Sequence, residues 1–514
     1  MGLFTLVPNY TLGTWLGVIL PSAFVAYWVV WIVYARTLHP LSAIPGPFWA
    51  SISRAWYVKQ ILSGDMEKTQ RRLHSQHGPL VRIAPNEVAC ADISAIKMLY
   101  RAQNPLRKSD FYSVWGNPGI SKHPDYFSVL DENVHSTRRR IVNQVYSLSS
   151  VLKSEKFIDG CSKLFCERLG EYVDAAKVFD LGEWSQWYAF DVIGELFYAD
   201  QFGFMKNSED HDSWIKSLDT LMPPLCVTAV SASYVRPLIL CSAITIPAAR
   251  HALKAIDHIV KAAKHCVSDR AKRFEVSKDP GVPQRQDLLQ QFFDIMREKG
   301  EKLDFGIHEI ELEAYVALFA GSDTTAIALR ATFYYLMKHP AVMREAQSEL
   351  DAAAAKGELS NPVQFAEANK LPLLCATIKE AMRLHPSVQL TMPRHAPRGG
   401  LQIAGTYIPE GYRVGLNAAV IHYDKGVFGE DADQFRPQRW LEENATNMDK
   451  HMLHFGAGTR TCIGKNISLA ELHKLVPTVL LNFDIKMAHE EPWTTNNLWF
   501  SKQGKLNIVA TRRT

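Results

Sequence analysis

The sequence predicts a mainly α-helical fold with small β-sheets, preceded by one N-terminal membrane-spanning helix. Three observations lead there. A stretch of 24 residues, Leu12 to Ala35, carries no charge. Long segments repeat apolar residues at three- and four-residue spacing, and short pieces rich in branched side chains stand between glycine and proline.

The uncharged stretch reads LGTWLGVILPSAFVAYWVVWIVYA. At about 1.5 Å per residue it crosses a hydrocarbon core of roughly 30 Å. Trp15 lies near one end and Trp28, Trp31 and Tyr34 near the other, the amphipathic rings that settle at the headgroup level. Pro21 is expected to bend the helix. A cleaved signal peptide fits less well: the apolar run is too long, residues 1–11 contain no Lys or Arg, and no small-residue cleavage site follows. Arg36, Arg54 and Lys59 come after the span, so the positive-inside rule places residues 1–11 in the lumen and the body in the cytosol. Pro40, Pro45 and Pro47 make 36–50 a stiff spacer, and 51–514 form the folded body. The segment from Leu221 to Val235 is uncharged but short and interrupted by Pro223 and Pro224, so it is expected to be a loop or short helix touching the membrane surface.

Within the body, helical periodicity runs over Ser154–Ala175, Ala248–Phe274, His308–Lys338, Pro340–Lys356 and Leu371–Leu384. Strand patterns lie in Pro79–Cys90, Leu401–Ile421 and Leu506–Arg512. A 514-residue chain with 47% hydrophobic and 21% charged residues has material for a large core. The net charge of +4 offers no reason to look for nucleic acid. Eight cysteines without a CxxC pair suit a reducing compartment better than a disulfide scaffold.

One cysteine stands apart. Phe455 to Gly464 reads FGAGTRTCIG, in which Gly456 and Gly458 let backbone approach a flat ligand where a Cβ would collide. Cys462 precedes the helical run KNISLAELHKLV, and a helix N-terminus stabilises a thiolate and tempers its donation to a metal. Arg460 is placed to reach an anionic group on such a ligand. A zinc site from His451, His454, Cys462 and His473 matches no common spacing, and no phosphate loop is formed because Asn466 stands where Ser or Thr is needed.

FxxGxRxCxG resembles the haem-binding signature of cytochromes P450, met here by Phe455, Gly458, Arg460, Cys462 and Gly464. The resemblance implies the cytochrome P450 fold and haem b, with Cys462 as axial ligand of the iron and Phe455 and Arg460 at the cofactor. Further motifs follow in the family's order. Glu380 and Arg383 in IKEAMRLHP share a helix face. Alone they would read as a solvated surface pair; the resemblance makes them, with Arg439 of FRPQRW, a structural triad. In AGSDTT, residues 320–325, a glycine, an acid and hydroxyls interrupt an apolar helix, either as an exposed polar face or, by resemblance, as the oxygen-activating motif with Asp323 and Thr324 catalytic. By the same resemblance His135, Arg139 and Arg394 hold haem propionates, and the basic residues beside Arg139 face the reductase. Substrate walls would come from Phe111–Ile120, Leu221–Val235, Ala317, Ala320, Val388–Met392 and Trp499–Phe500.

The implied activity inserts one atom of O2 into a lipophilic small molecule. NADPH-derived electrons would arrive through NADPH-cytochrome P450 reductase, with cytochrome b5 as a second donor the family admits; the thiolate's electron density favours O–O cleavage. The runs HPLSAIPGP and VIHYDKGVFGEDADQFRPQRW resemble fungal microsomal members of secondary-metabolite pathways, which implies a single-pass endoplasmic reticulum protein. A haem-thiolate isomerase or dehydratase, or a non-catalytic haem protein, would share Cys462 but not need Asp323 and Thr324.

Overall fold

The computed structural model describes residues 15–242, 245–276 and 285–513, so the expected lumenal segment 1–11 and the first three residues of the anchor lie outside the described residues. From Trp15 to Thr37 the chain is a helix of 23 residues, long and apolar enough to cross a membrane. It begins as a wide π-type turn, Trp15–Ile19, and continues as α1, Leu20–Thr37. Pro21 is the seventh residue of this continuous helix, and its missing N–H leaves a carbonyl of the preceding turn without its helical donor, next to the junction where the wide turn gives way to α1. The foot of α1 is tied to the body: Arg82 Nη1 donates to Ala35 O at 2.8 Å and Trp31 Nε1 to Ile52 O at 2.9 Å. The proline spacer is packed too, with Leu41 and Ile44 buried and Arg82 N donating to Pro45 O at 2.8 Å.

Short helices α2 (Phe48–Ile52), α3 (Ala55–Leu62) and α4 (Met66–His77) lead into the hairpin β1 (Leu80–Ala84) and β2 (Glu87–Cys90). Downstream strands complete that sheet. Its order is β1-β2-β7-β4, where β4 is Arg394–His395 and β7 is Arg413–Leu416, parallel to β2. The pattern of Leu401–Ile421 thus resolves into hairpin β5 (Leu401–Ile403) and β6 (Thr406–Ile408), then β7, then a helical turn at Ala418–Ile421. At the C-terminal end, β3 (Phe179–Asp180), β11 (Asn507–Arg512) and β8 (Phe483–Met487) make one sheet, and β9 (Thr494–Leu498) pairs with β10 (Phe500–Gly504).

The helical body contains α5 (Glu132–Val142), α6 (Glu155–Asp174), α7 (Leu181–Phe197), α8 (Trp214–Val230), α9 (Arg236–Ser242), α10 (Pro247–Val276) and α11 (Leu288–Leu303). Next come α12 (Ile307–Lys338), α13 (Pro340–Ala355), α14 (Pro372–Leu384) and α15 (Lys465–Asn482). The five periodic segments match α6, α10, α12, α13 and α14 to within two residues at either end. Caps explain several starts: the carboxylates of Asp131, Asp180 and Asp287 accept N–H groups of the first turns of α5, α7 and α11. The 32-residue α12 is buried over most of its surface, packed against α7, α10, α14 and α15, as an apolar helix at the centre of a large core must be.

The segment from Leu221 is a correction. It belongs to α8, which continues through Pro223 and Pro224 and buries Leu221, Met222, Cys226, Ala229 and Val230 in an inner apolar cluster. Burial of that face outweighs the local cost of the prolines. Only the residues after α8 face outward, with Tyr234 in the connection and Leu238 and Leu240 in α9 largely exposed.

Candidate active site

Cys462 sits at the mouth of α15. Its N–H donates to Phe455 O at 2.8 Å, closing the loop in which Gly456 and Gly458 have φ of +70° and +66°. Gly458 lies so close to the first sheet's flank that a Cβ would stand 2.0 Å from Tyr100 O, so no other residue fits. Cys462 keeps accessible surface, yet the surrounding protein desolvates it enough to push its thiol pKa up; the N–H groups of Gly464 and Lys465 and the charge of Arg139 act the other way. Phe455 packs its ring against His454, with centroids 4.5 Å apart.

On α12, Ala320 is exposed and Gly321 and Thr324 are half-buried although the helix is otherwise enclosed. Thr324 Oγ1 donates to Ala320 O at 2.8 Å. Asp323 is 1% exposed, which rules out the bland reading of a solvated polar face. One carboxylate oxygen accepts from Gln186 Nε2 on α7, and the other pairs with Lys502 Nζ of β10 at 3.2 Å. Burial raises the pKa of Asp323 and Lys502 opposes the rise. Lys502 also pairs with Asp219 of α8, at the floor of a polar cleft of about 600 Å³ that includes Glu183, Lys216 and Asp219. Sequence reasoning missed Gln186 and Lys502; the only signal for the latter was a lysine two residues beyond the expected wall residue Phe500.

His135 and Arg139 share a face of α5, as their spacing requires. His135 is 2% exposed, and neither ring nitrogen has a hydrogen-bond partner among the described residues. Burial, then Arg460, Arg139, Lys108 and Arg394, push its pKa down to about 3. Three of these cations are held by neutral oxygens: Lys108 by Phe127 O at 2.6 Å, Arg139 by Thr459 O at 3.3 Å and Arg394 by Tyr112 Oη at 3.0 Å. Such a nest suits the carboxylates of a planar tetrapyrrole, with the imidazole as an added donor. Lys108, buried and with its pKa pushed well down by that burial, is a member the sequence did not reveal. Arg460 differs from expectation, since Glu132 already holds it through Nη2 at 2.7 Å and Nε at 3.0 Å. Of the basic run beside Arg139, Arg138 does not project free: it donates to Leu303 O and Asp304 O at the C-terminal end of α11, leaving Arg140 exposed.

The triad of Glu380, Arg383 and Arg439 is fully buried. Arg383 grips Glu380 through Nε and Nη2, both at 2.8 Å, and Arg439 Nε reaches the same carboxylate at 2.9 Å. Trp440 Nε1 adds a bond at 2.8 Å. A surface pair would be worth little; this buried one ties α14 to the turn Pro437–Leu441 and to the carbonyls of His422 and Ala432.

The expected substrate walls meet in the inner apolar cluster. Phe111, Tyr112, Trp115, Leu221, Met222, Leu390, Trp499 and Phe500 are buried there, with Phe319 of α12 and Val388 at its edge. Ala317 instead joins the main core. Trp499 stands between β9 and β10 with φ of +77°, an uncommon backbone for a bulky residue, and its ring lies 5.1 Å from Phe111 and 5.6 Å from Trp115.

A cysteine just before a helix N-terminus, a run of small residues in the central helix and a cationic nest around a buried histidine are the parts that a haem-thiolate site requires. The comparisons agree. A family model described as Cytochrome P450 matches residues 45–509. The chain is 46% identical to the cytochrome P450 monooxygenase gsfF of Penicillium aethiopicum over 95% of this chain and 96% of that protein. It is 42% identical to the cytochrome P450 monooxygenase ACRTS1 of Alternaria alternata over 73% and 99%, and 34% identical to a pisatin demethylase of Fusarium vanettenii over 96% and 93%. The chain belongs to the cytochrome P450 family, and its activity is that of a monooxygenase.

Proposed function

We propose that this enzyme inserts one oxygen atom from O2 into a lipophilic small molecule, a fungal secondary-metabolite intermediate, with NADPH-derived electrons supplied by a membrane-bound reductase. The observation that carries the reading is the pairing on α12 of a buried acid, Asp323, with a half-exposed hydroxyl, Thr324, beside the exposed Ala320. An isomerase or a haem carrier has no use for such a pair. Haem b, held by Cys462 with its acidic groups in the nest of His135, Arg139, Arg394 and Lys108, supplies activation of dioxygen when bound.

The chain's own residues then divide the work. The N–H groups at the start of α15 and the charge of Arg139 stabilise the Cys462 thiolate. Asp323 takes up protons from the cleft under Lys502, and Thr324, adjacent in the helix, holds them at the pocket through its hydroxyl. The aromatic walls exclude water and favour a flat, apolar substrate. Similarity to a protein named for demethylating pisatin agrees with oxidative attack on a small organic molecule. We place the protein in the endoplasmic reticulum membrane, spanning once through residues 12–35, with 36–50 as connection and 51–514 as the cytosolic catalytic body.

The test is the stoichiometry of product, peroxide and NADPH with a reductase present. Thr324→Ala should continue to consume NADPH but divert much of it to peroxide, whereas Asp323→Asn should slow NADPH use and product together. Unchanged coupling in Thr324→Ala would make the motif structural, and turnover without O2 would favour isomerisation.

A further inference from the structure

Glu313 of α12 is an acid buried between two tyrosines. It is 4% exposed, and each carboxylate oxygen accepts a phenol: Oε1 from Tyr126 Oη, and Oε2 from Tyr146 Oη at 2.7 Å. Among the described residues these are the tyrosines whose hydroxyl donates to a carboxylate. Elsewhere the acceptor is a weaker base: Tyr100 donates to Met392 O, Tyr198 to Ala314 O and Tyr423 to Leu384 O, each an amide carbonyl.

Both tyrosines are tied to the segment around Cys462. Asn466 Nδ2, in the first turn of α15, donates to Tyr146 O at 2.9 Å, and Arg460 Nη1 donates to Tyr126 O at 3.0 Å. The Tyr146 hydroxyl lies close enough to the Cys462 sulfur for their charges to act on each other. Phe197 of α7 and Phe292 of α11 stand beside the Tyr146 ring, with centroids at 6.2 Å and 5.9 Å, and shield it from solutes.

Burial pushes both tyrosine pKa values well up and Glu313 adds to the rise, so neither phenol ionises on its own. Loss of an electron reverses this, because an oxidised phenol is a strong acid that gives up its proton to any base in reach. A carboxylate whose pKa burial has raised to about 7 is a better base than an ordinary one, and it already holds the hydrogen bond. Such a pairing makes a tyrosine easier to oxidise than one bonded to an amide carbonyl. Haem-thiolate oxygen chemistry that finds no substrate turns on the protein itself, and a nearby donor limits that damage.

We propose that Tyr146, with Glu313 as its base and Tyr126 sharing that base, is a protective electron donor that discharges the oxidised haem when no substrate is bound. One electron leaves the Tyr146 ring for the haem, and the Oη proton crosses the 2.7 Å hydrogen bond to Glu313 Oε2. A neutral tyrosyl radical and a neutral carboxylic acid remain, so no new charge is left in the buried pocket. An electron from the reductase restores the phenol as Glu313 returns the proton, and two such rounds consume the oxidising equivalents of one peroxide. The inference rests on Cys462 holding haem and not on the identity of any substrate.

The experiment mixes the full-length haem-loaded enzyme, free of substrate, with cumene hydroperoxide, freezes it rapidly and reads electron paramagnetic resonance. Wild-type protein made with ring-deuterated tyrosine should give a narrower radical signal than unlabelled protein, which identifies the radical as tyrosyl. Exchange into D2O should remove a hydrogen-bond coupling from the proton on Glu313, a measurement that needs no variant. Tyr146→Phe should lose the signal, and Glu313→Gln, which keeps an acceptor but no base, should form it about a hundredfold more slowly. Both variants should lose haem absorbance sooner than wild type under repeated hydroperoxide. Tyr198→Phe, whose hydroxyl meets a carbonyl, should behave as wild type. A signal in wild type that is absent or insensitive to the tyrosine label, or a full tyrosyl signal in Tyr146→Phe, would overturn the proposal. A wild-type enzyme without the thiolate-type carbon monoxide spectrum would overturn the haem site instead.

Discussion

Replacing Glu380 by Gln tests whether the buried triad holds the fold that presents Cys462. The Glu380 carboxylate accepts five hydrogen bonds, from Arg383 Nε and Nη2, Arg436 N, Arg439 Nε and Trp440 Nε1. Three fall on Oε1 and two on Oε2, so a Gln amide nitrogen faces at least two donors whichever way it is turned. The substitution also removes the counter-charge of Arg383, while Arg439 keeps Asp431 at 3.1 Å. Uncompensated charge at 0% exposure costs about 3–5 kcal/mol, against about 5–15 kcal/mol for the whole stability of a typical domain. Glu380→Gln should therefore express with sharply reduced haem per polypeptide, and what loads should lose its thiolate-type carbon monoxide spectrum at a lower temperature. Trp440→Phe, which removes one bond from Oε2, should cost about 1–3 kcal/mol and fall between. Wild-type haem content and thermal midpoint in Glu380→Gln would refute the reasoning.

Cys462→Ala should abolish the thiolate-type spectrum of the reduced carbon monoxide complex; retention of that spectrum would identify another ligand. Glu313 of α12 is buried against Tyr126 and Tyr146, the latter bonded at 2.7 Å, and burial pushes its pKa from 4.5 up to about 7. Because the folded value is the higher, its contribution is complete below about pH 4.5 and declines as pH rises through about 7, by roughly 3 kcal/mol. Asp125 and Arg138 also act on it, so the measurement is the difference in thermal midpoint between wild type and Glu313→Gln across about pH 5–8, which should narrow as pH rises. Protease added outside sealed microsomes should digest the body beyond residue 50, and full protection would reverse the assigned topology.

Local chemistry made much of this protein legible in its sequence. The apolar N-terminal helix follows from a run of uncharged residues, the long helices from their period, and the tight loop before Cys462 from glycines that only a close backbone approach requires. Those features depend on neighbours in the chain. What depends on neighbours in space was hidden. Nothing local marks Arg54 as buried against Glu87, nor Arg460 as held by Glu132 across more than three hundred residues. Pro223 and Pro224 suggested a break, yet α8 runs through them because the face it buries against Phe111, Trp499 and their neighbours outweighs local propensity. Lys502 reaches Asp323 from a hairpin near the chain's end, and Lys108 joins the cationic nest through burial alone. A motif states which groups chemistry needs, whereas packing decides which other charges stand beside them, since a buried charge takes its energy from whatever the fold brings within a few ångströms.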